Sequence, residues 1–118
     1  MNIIKNRRYL EVSDMIRHVI MWRFKDEYEG MDKDAIMDKV TAMFTELKKV
    51  IPEIRFMSVE RDVLRSERSY DMIYITEFDS LETLEIYRVH PEHVKVAAFI
   101  QQIRVAQSVT DTEKSEIR

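Results

Sequence analysis

The sequence predicts an α+β domain: one four-stranded antiparallel sheet with helices packed on one of its faces. Three observations carry this. Strand-sized segments show apolar residues at period two, whereas two longer segments repeat them at helical spacing. These segments follow one another in the order β-α-β-β-α-β. The chain has 118 residues, the length of one domain, and a chain of that size buries roughly two-thirds of its unfolded surface, enough for one core.

Each element has its own justification. Met15 to Lys25 reads as a strand, with Ile16, His18, Ile20, Trp22 and Phe24 on one face. Val19 and Met21 occupy the other face, beside Arg17 and Arg23, so its middle is apolar on both sides. Gly30 to Asp32 marks a turn and the start of a helix, with Asp32 as N-cap. That helix runs to about Val50 on a stripe of Ile36, Val40, Met43, Phe44, Leu47 and Val50, and Pro52 stops it.

A second strand spans Ile54 to Val63, with Ile54 and Phe56 on one face and Met57 and Val59 on the other. Leu64 to Ser69 is a charged hairpin loop. Tyr70 to Phe78 is the third strand: Tyr70, Met72, Tyr74 and Phe78 share one face, Ile73 and Ile75 the other. Asp79 and Glu82 stand at capping-box spacing before a helix through Leu81, Leu84 and Tyr87. This helix bends or restarts at Pro91 and continues through Val94, Ala97, Ala98 and Ile100 to about Gln102. Val105 to Asp111 is the fourth strand. The expected organisation is an extension over residues 1–14, a core domain over 15–112 and a polar tail over 113–118.

The order is the split βαβ, or ferredoxin-like, arrangement, whose first and third strands lie in the centre of the sheet. Those are the two strands that are apolar on both faces. Two helices cover only one face. Val19, Met21, Ile73 and Ile75 would form a wet apolar patch on the other, which monomers rarely tolerate. A second copy of the sheet is the simplest cover, so the expected assembly is a two-fold homodimer through the sheet face, forming an α/β barrel.

Composition excludes several classes of function. With no cysteine there is no disulfide framework, thiol nucleophile or cysteine–metal site. A net charge of −3 gives no reason to expect nucleic acid as a partner. Gly30 is the one glycine, whereas dinucleotide fingerprints and phosphate loops need several. No apolar run approaches a membrane span. The first fourteen residues carry Lys5, Arg7 and Arg8 without the apolar stretch of a secretory signal, so a cytoplasmic location is expected.

Candidate chemistry concentrates in Tyr87-Arg88-Val89-His90-Pro91-Glu92-His93, which holds two of the three histidines. Histidine exchanges protons near neutral pH, and tyrosine donates a hydrogen bond to developing negative charge. Pro91 suits the first turn of a helix, and His90 before it suits a cap. His93 reads either as a general base or as a residue that holds the helix break. Tyr87 reads either as its hydrogen-bond donor or as a packed ring with a satisfied hydroxyl. His18, Trp22 and Tyr74 read either as core or as the lining of a cavity for a small apolar ligand. His90, His93 and His18 can be drawn as a metal site, but Pro91 disturbs the spacing, so neither metal nor cofactor is expected.

Several of these segments together resemble the stress-responsive A/B-barrel (Dabb) domain family. They are Ile16 to Asp26 in the first strand, Ile51-Pro52-Glu53-Ile54, Tyr70-Asp71, and Phe78-Asp79-Ser80 followed by Leu84, Tyr87 and His90-Pro91-Glu92-His93. The resemblance spans roughly residues 15–111; Thr112 stands where many members carry an aromatic. It implies a ferredoxin-like fold and a dimeric barrel, with no assigned reaction for most members. In a plant polyketide cyclase of this family, a histidine matching His93 is the base of an aldol closure. A tyrosine matching Tyr87 helps hold the substrate, and a first-strand histidine matching His18 lies near the cavity. The expected function is a homodimeric binding domain of unassigned activity for a small apolar ligand. The alternatives are a cyclase- or lyase-type enzyme using His93 and Tyr87, and a monooxygenase of the same barrel superfamily.

Overall fold

The structure is a computed structural model that describes residues 11–116. Its sheet consists of β1 (Glu11–Phe24), β4 (Phe56–Arg61), β5 (Met72–Phe78) and β6 (Arg104–Glu116), in the spatial order β4-β5-β1-β6 with every pairing antiparallel. The two strands expected in the centre, β1 and β5, are there. A two-stranded hairpin, β2 (Glu27–Tyr28) and β3 (Met31–Asp32), leads into α1 (Lys33–Val50). The second helical segment is two helices, α2 (Leu81–Val89) and α3 (Pro91–Ile103).

Local chemistry explains the boundaries. The β2–β3 hairpin turns at Glu29 and Gly30, whose φ values of 49° and 84° are the paired positive angles of a type I′ turn. Asp32 caps α1, accepting a hydrogen bond from the Ala35 amide at 2.9 Å. The cap of α2 is Ser80, not Asp79. Ser80 and Thr83 form a reciprocal capping box, and Asp79 instead accepts from the Arg55 guanidinium at 2.9 Å. The Ser80–Thr83 hydroxyl pair, one residue inward, satisfies the Thr83 and Ser80 amides and so sets the start of the helix. His90 ends α2 and begins α3; its Nδ1 accepts from the Glu92 amide at 3.1 Å. Pro91 has no amide hydrogen to leave unpaired at that first position.

The core lies between α1, α2 and α3 and the facing side of the sheet. Trp22 and Tyr74 stack with Phe44 from α1, the Phe44 and Tyr74 ring centroids being 4.0 Å apart. Ile36, Val40, Leu47, Phe78, Val96 and Ile103 complete it. Val50, expected on the buried stripe, is 52% exposed in the last turn of α1.

All four sheet strands differ in their bounds from the expectation. β1 begins at Glu11 and β6 continues to Glu116, because the two pair with each other beyond a register shift between Val12 and Ile16. Part of the expected extension and tail is therefore strand; residues 1–10, with Lys5, Arg7 and Arg8, and residues 117–118 lie outside the described residues. β4 is shorter than expected. Ile54 is buried ahead of it, Met57 and Val59 face the core, and Phe56 stands 45% exposed on the opposite side. Tyr70 precedes β5 and lies under the Arg23 guanidinium, 4.8 Å from its ring centroid, instead of sharing the Met72 face. Period-two reasoning fails at both places because the residue stands outside the strand.

Among the described residues, no helix is long and apolar enough to cross a membrane. Removing Phe44 would open the centre of the aromatic stack. Phe44→Ala is expected to cost about 3–5 kcal/mol, the range for an aromatic truncated in a packed core, read as a lower denaturant midpoint. A midpoint within experimental error of the parent would contradict the stack's central place.

Candidate active site

α3 leaves the sheet at its His90 hinge, and a cavity of about 440 Å³ opens between α2, α3 and the strands β1, β5 and β6. All five side chains singled out from the sequence line it: His18, Trp22, Tyr74, Tyr87 and His93. Val94, Ala97, Ala98 and Ile100 line it too; the buried residues of α3 are Val96, Ile100 and Ile103.

The tyrosines are joined. Their hydroxyls lie 2.8 Å apart and both residues are buried. Two phenols carry two protons, and their mutual hydrogen bond uses one. The other is left for a third partner. Burial pushes Tyr74 well above the ordinary tyrosine range and pushes Tyr87 up as well, so both keep their protons at neutral pH.

His93 packs against Tyr87, with ring centroids 4.2 Å apart. Its Nδ1 lies 3.0 Å from the Arg88 carbonyl oxygen. A carbonyl only accepts, so Nδ1 carries the proton and Nε2 keeps its lone pair. Burial lowers the His93 pKa from its ordinary value of 6.5; the neighbouring His18, Arg88 and His90 lower it further, and the bond to the Arg88 carbonyl acts in the opposite direction. The neutral, proton-accepting ring is thus the favoured form at neutral pH.

His18 stands on the same face of β1, its ring centroid 6.2 Å from that of Tyr87. Its Nδ1–H donates to the Asp111 carboxylate at 2.5 Å, across the β1–β6 register in which the two residues are directly opposite. Trp22 Nε1–H donates to Gln107 Oε1 at 3.0 Å, again between directly opposed residues. The sequence reading did not place Gln107 or Arg104 in the site, and it valued Asp111 only as the end of a strand. Gln107, Val109 and Asp111 do alternate at period two, but as one apolar residue among polar ones they carry no hydrophobic signal. His90 is a cap, as its position before Pro91 suggested. Among the described residues, no cluster of three or more His, Cys, Asp or Glu side chains converges as metal ligands would.

The sequence matches the profile of the Stress responsive A/B Barrel Domain over residues 16–114. The chain belongs to this family. It is 28% identical to olivetolic acid cyclase of Cannabis sativa over 81 residues, covering 67% of this chain and 76% of that protein. A dimeric protein of unknown function with a ferredoxin-like fold from Bacteroides fragilis superposes with a TM-score of 0.76 at 21% identity, over 87% of this chain and 99% of that one. Hydroxynitrile lyase from Passiflora edulis superposes with a TM-score of 0.74 at 17% identity, over 88% and 96% of the two chains. These superpositions establish the ferredoxin-like α+β fold of this A/B barrel domain.

The lowered His93 pKa has a consequence for stability. The unfolded chain takes up this proton near pH 6.5 and the folded chain only at lower pH, so the unfolded state holds more protons in between. The stability conferred by the neutral ring is complete above about pH 6.5 and is lost as pH falls from there through the folded pKa. His93→Gln, which does not titrate, is expected to flatten the denaturant midpoint against pH in that window. An identical slope in both proteins would contradict the assignment.

Proposed function

We propose that this A/B barrel domain binds a small, largely apolar carbonyl compound in the cavity and moves a proton on it. His93 serves as general base and the Tyr87–Tyr74 pair as hydrogen-bond donor. The observation that carries this is the Nδ1–H bond from His93 to the Arg88 carbonyl, which leaves the other nitrogen basic on a ring packed against Tyr87, whose hydroxyl is bonded to Tyr74. In such a reaction Nε2 takes a proton from the carbon next to the carbonyl. Negative charge then grows on the carbonyl oxygen, and the spare phenol proton bonds to that oxygen more strongly as the charge develops. His18, held by Asp111, and Trp22 would shape the apolar walls around the ligand. A cyclase and a lyase among the similar proteins support a reaction of this broad kind.

The test is hydrogen–deuterium exchange at the α-carbon of small ketones, followed by NMR. His93→Gln is expected to slow exchange by about a hundredfold or more, the usual scale of a lost general base. The parent rate should fall with decreasing pH once His93 protonates. Tyr87→Phe, which leaves Tyr74 in place, should slow exchange less than His93→Gln does. Exchange that is equal in parent and His93→Gln would reduce His93 to a helix-break residue.

The same reading includes a homodimer through the open sheet face. Val19 lies opposite Ile75 and Met21 opposite Ile73 in the register, and Phe56 is exposed on the neighbouring strand. The patch ends at a charged group in which Glu77 is bound by Arg17 at 3.0 Å and Lys114 at 3.3 Å. The Bacteroides fragilis protein is itself dimeric, which supports the proposal. Ile75→Lys would bury a charge in that contact and is expected to convert the dimer to monomer in sedimentation at micromolar concentration. A parent protein that is already monomeric there would remove the sheet-face interface.

A further inference from the structure

The cavity has two chemically different ends, and one of them plays no part in the proton transfer. His93 and Arg104 sit at the two ends of α3. At roughly 1.5 Å of rise per residue they are separated by about 16 Å along the helix. The sheet repeats this polarity. His18 and Asp111 are paired beneath the His93 end, and Trp22 and Gln107 lie toward Arg104, whose own partner in the register is Phe24. Between the ends the lining is apolar, with Ile20 and Val109 from the sheet and Ala97 from α3.

Arg104 is half-buried and lines the cavity, yet it has no ion pair or hydrogen bond through its side chain among the described residues. Arg88, the other arginine of the lining, is instead paired with Glu85 through two bonds of 2.9 and 2.8 Å. A half-buried arginine whose five donors have no protein partner can offer them to whatever enters the cavity. Gln107 adds to the same end. Its Oε1 is used by Trp22 Nε1, so its amide NH₂ group remains to donate. Donors without acceptors at one end of an apolar channel suit a ligand that brings the acceptors with it. The planar fork of arginine matches a carboxylate with two parallel hydrogen bonds.

We propose that Arg104, assisted by Gln107, is the seat for the carboxylate of a medium-chain ligand. Its apolar chain runs along α3 and brings a carbonyl to His93. This rests on the proposed function above and narrows its ligand class to keto acids with an apolar spacer. Arg104 is then a specificity-determining residue, separate from the proton-transfer group.

Trp22 is the single tryptophan of the chain and lines the cavity, so its fluorescence reports occupancy directly. The full chain is titrated with sodium decanoate and, in parallel, with decanol, which has the same chain but no charge. The parent is expected to bind decanoate more tightly than decanol. Arg104→Gln is expected to weaken decanoate by about tenfold or more, the scale of a lost charged hydrogen bond, with decanol unchanged. Equal affinity of the parent for the two ligands, equal weakening of both by Arg104→Gln, or no fluorescence response to decanoate overturns the seat. Circular dichroism of Arg104→Gln, matched to the parent, separates a lost contact from a lost fold. The readouts also separate the two proposals. A decanoate preference abolished by Arg104→Gln upholds the seat even where exchange proves independent of His93. His93-dependent exchange without that preference upholds the base and refutes the seat.

Discussion

The register of β1 between β5 and β6 is the constraint on which everything else rests. Alternate residues of this one strand serve two different purposes. Ile16, His18, Ile20, Trp22 and Phe24 face the helices and supply both core and cavity wall, while Val19 and Met21 face away. A slip by one residue would exchange the two sets, placing Trp22 in water and arginines against the aromatic stack. The same register sets the polar contacts of the site. His18 meets Asp111 and Trp22 meets Gln107 because each pair is directly opposed across β1 and β6.

The second constraint is the break at His90-Pro91. Proline at the first position of α3 removes one amide that would otherwise need a partner, and the His90 ring supplies the acceptor for another. A continuous helix from Leu81 to Ile103 would have to keep one direction. Two helices allow α2 to press Tyr87 into the core while α3 stands off the sheet and leaves a cavity. The break also puts His93 within reach of the Arg88 carbonyl, one of the free acceptors at the end of α2. One local device thus terminates a helix, starts another and selects the tautomer of the candidate base.

Burial then differentiates groups that are alike in the sequence. Tyr74 and Tyr87 are buried with their hydroxyls bonded to each other, whereas Tyr28 is half-buried beside Phe99. His90 is spent on a cap, His18 on a carboxylate, and His93 on a backbone carbonyl that leaves its other nitrogen basic. The chemistry on offer at each ring follows from what its Nδ1 touches.

Much of this was legible in the residues themselves. Element order, the two central strands, the Asp32 cap and the helix break follow from periodicity and capping chemistry, because these are local interactions that neighbouring residues decide. His18, Trp22, Tyr74, Tyr87 and His93 could be named because aromatic and imidazole groups on apolar faces are few. Their convergence on one cavity was decided only by tertiary structure, since it depends on where α3 sits over the sheet. The same holds for the long ends of β1 and β6, whose charged residues show no alternation and are ordered by pairing with each other. It holds also for Arg104 and Gln107. Arginine and glutamine are ordinary surface residues in a sequence, and only three-dimensional packing shows which of them lines a cavity with its donors unmatched.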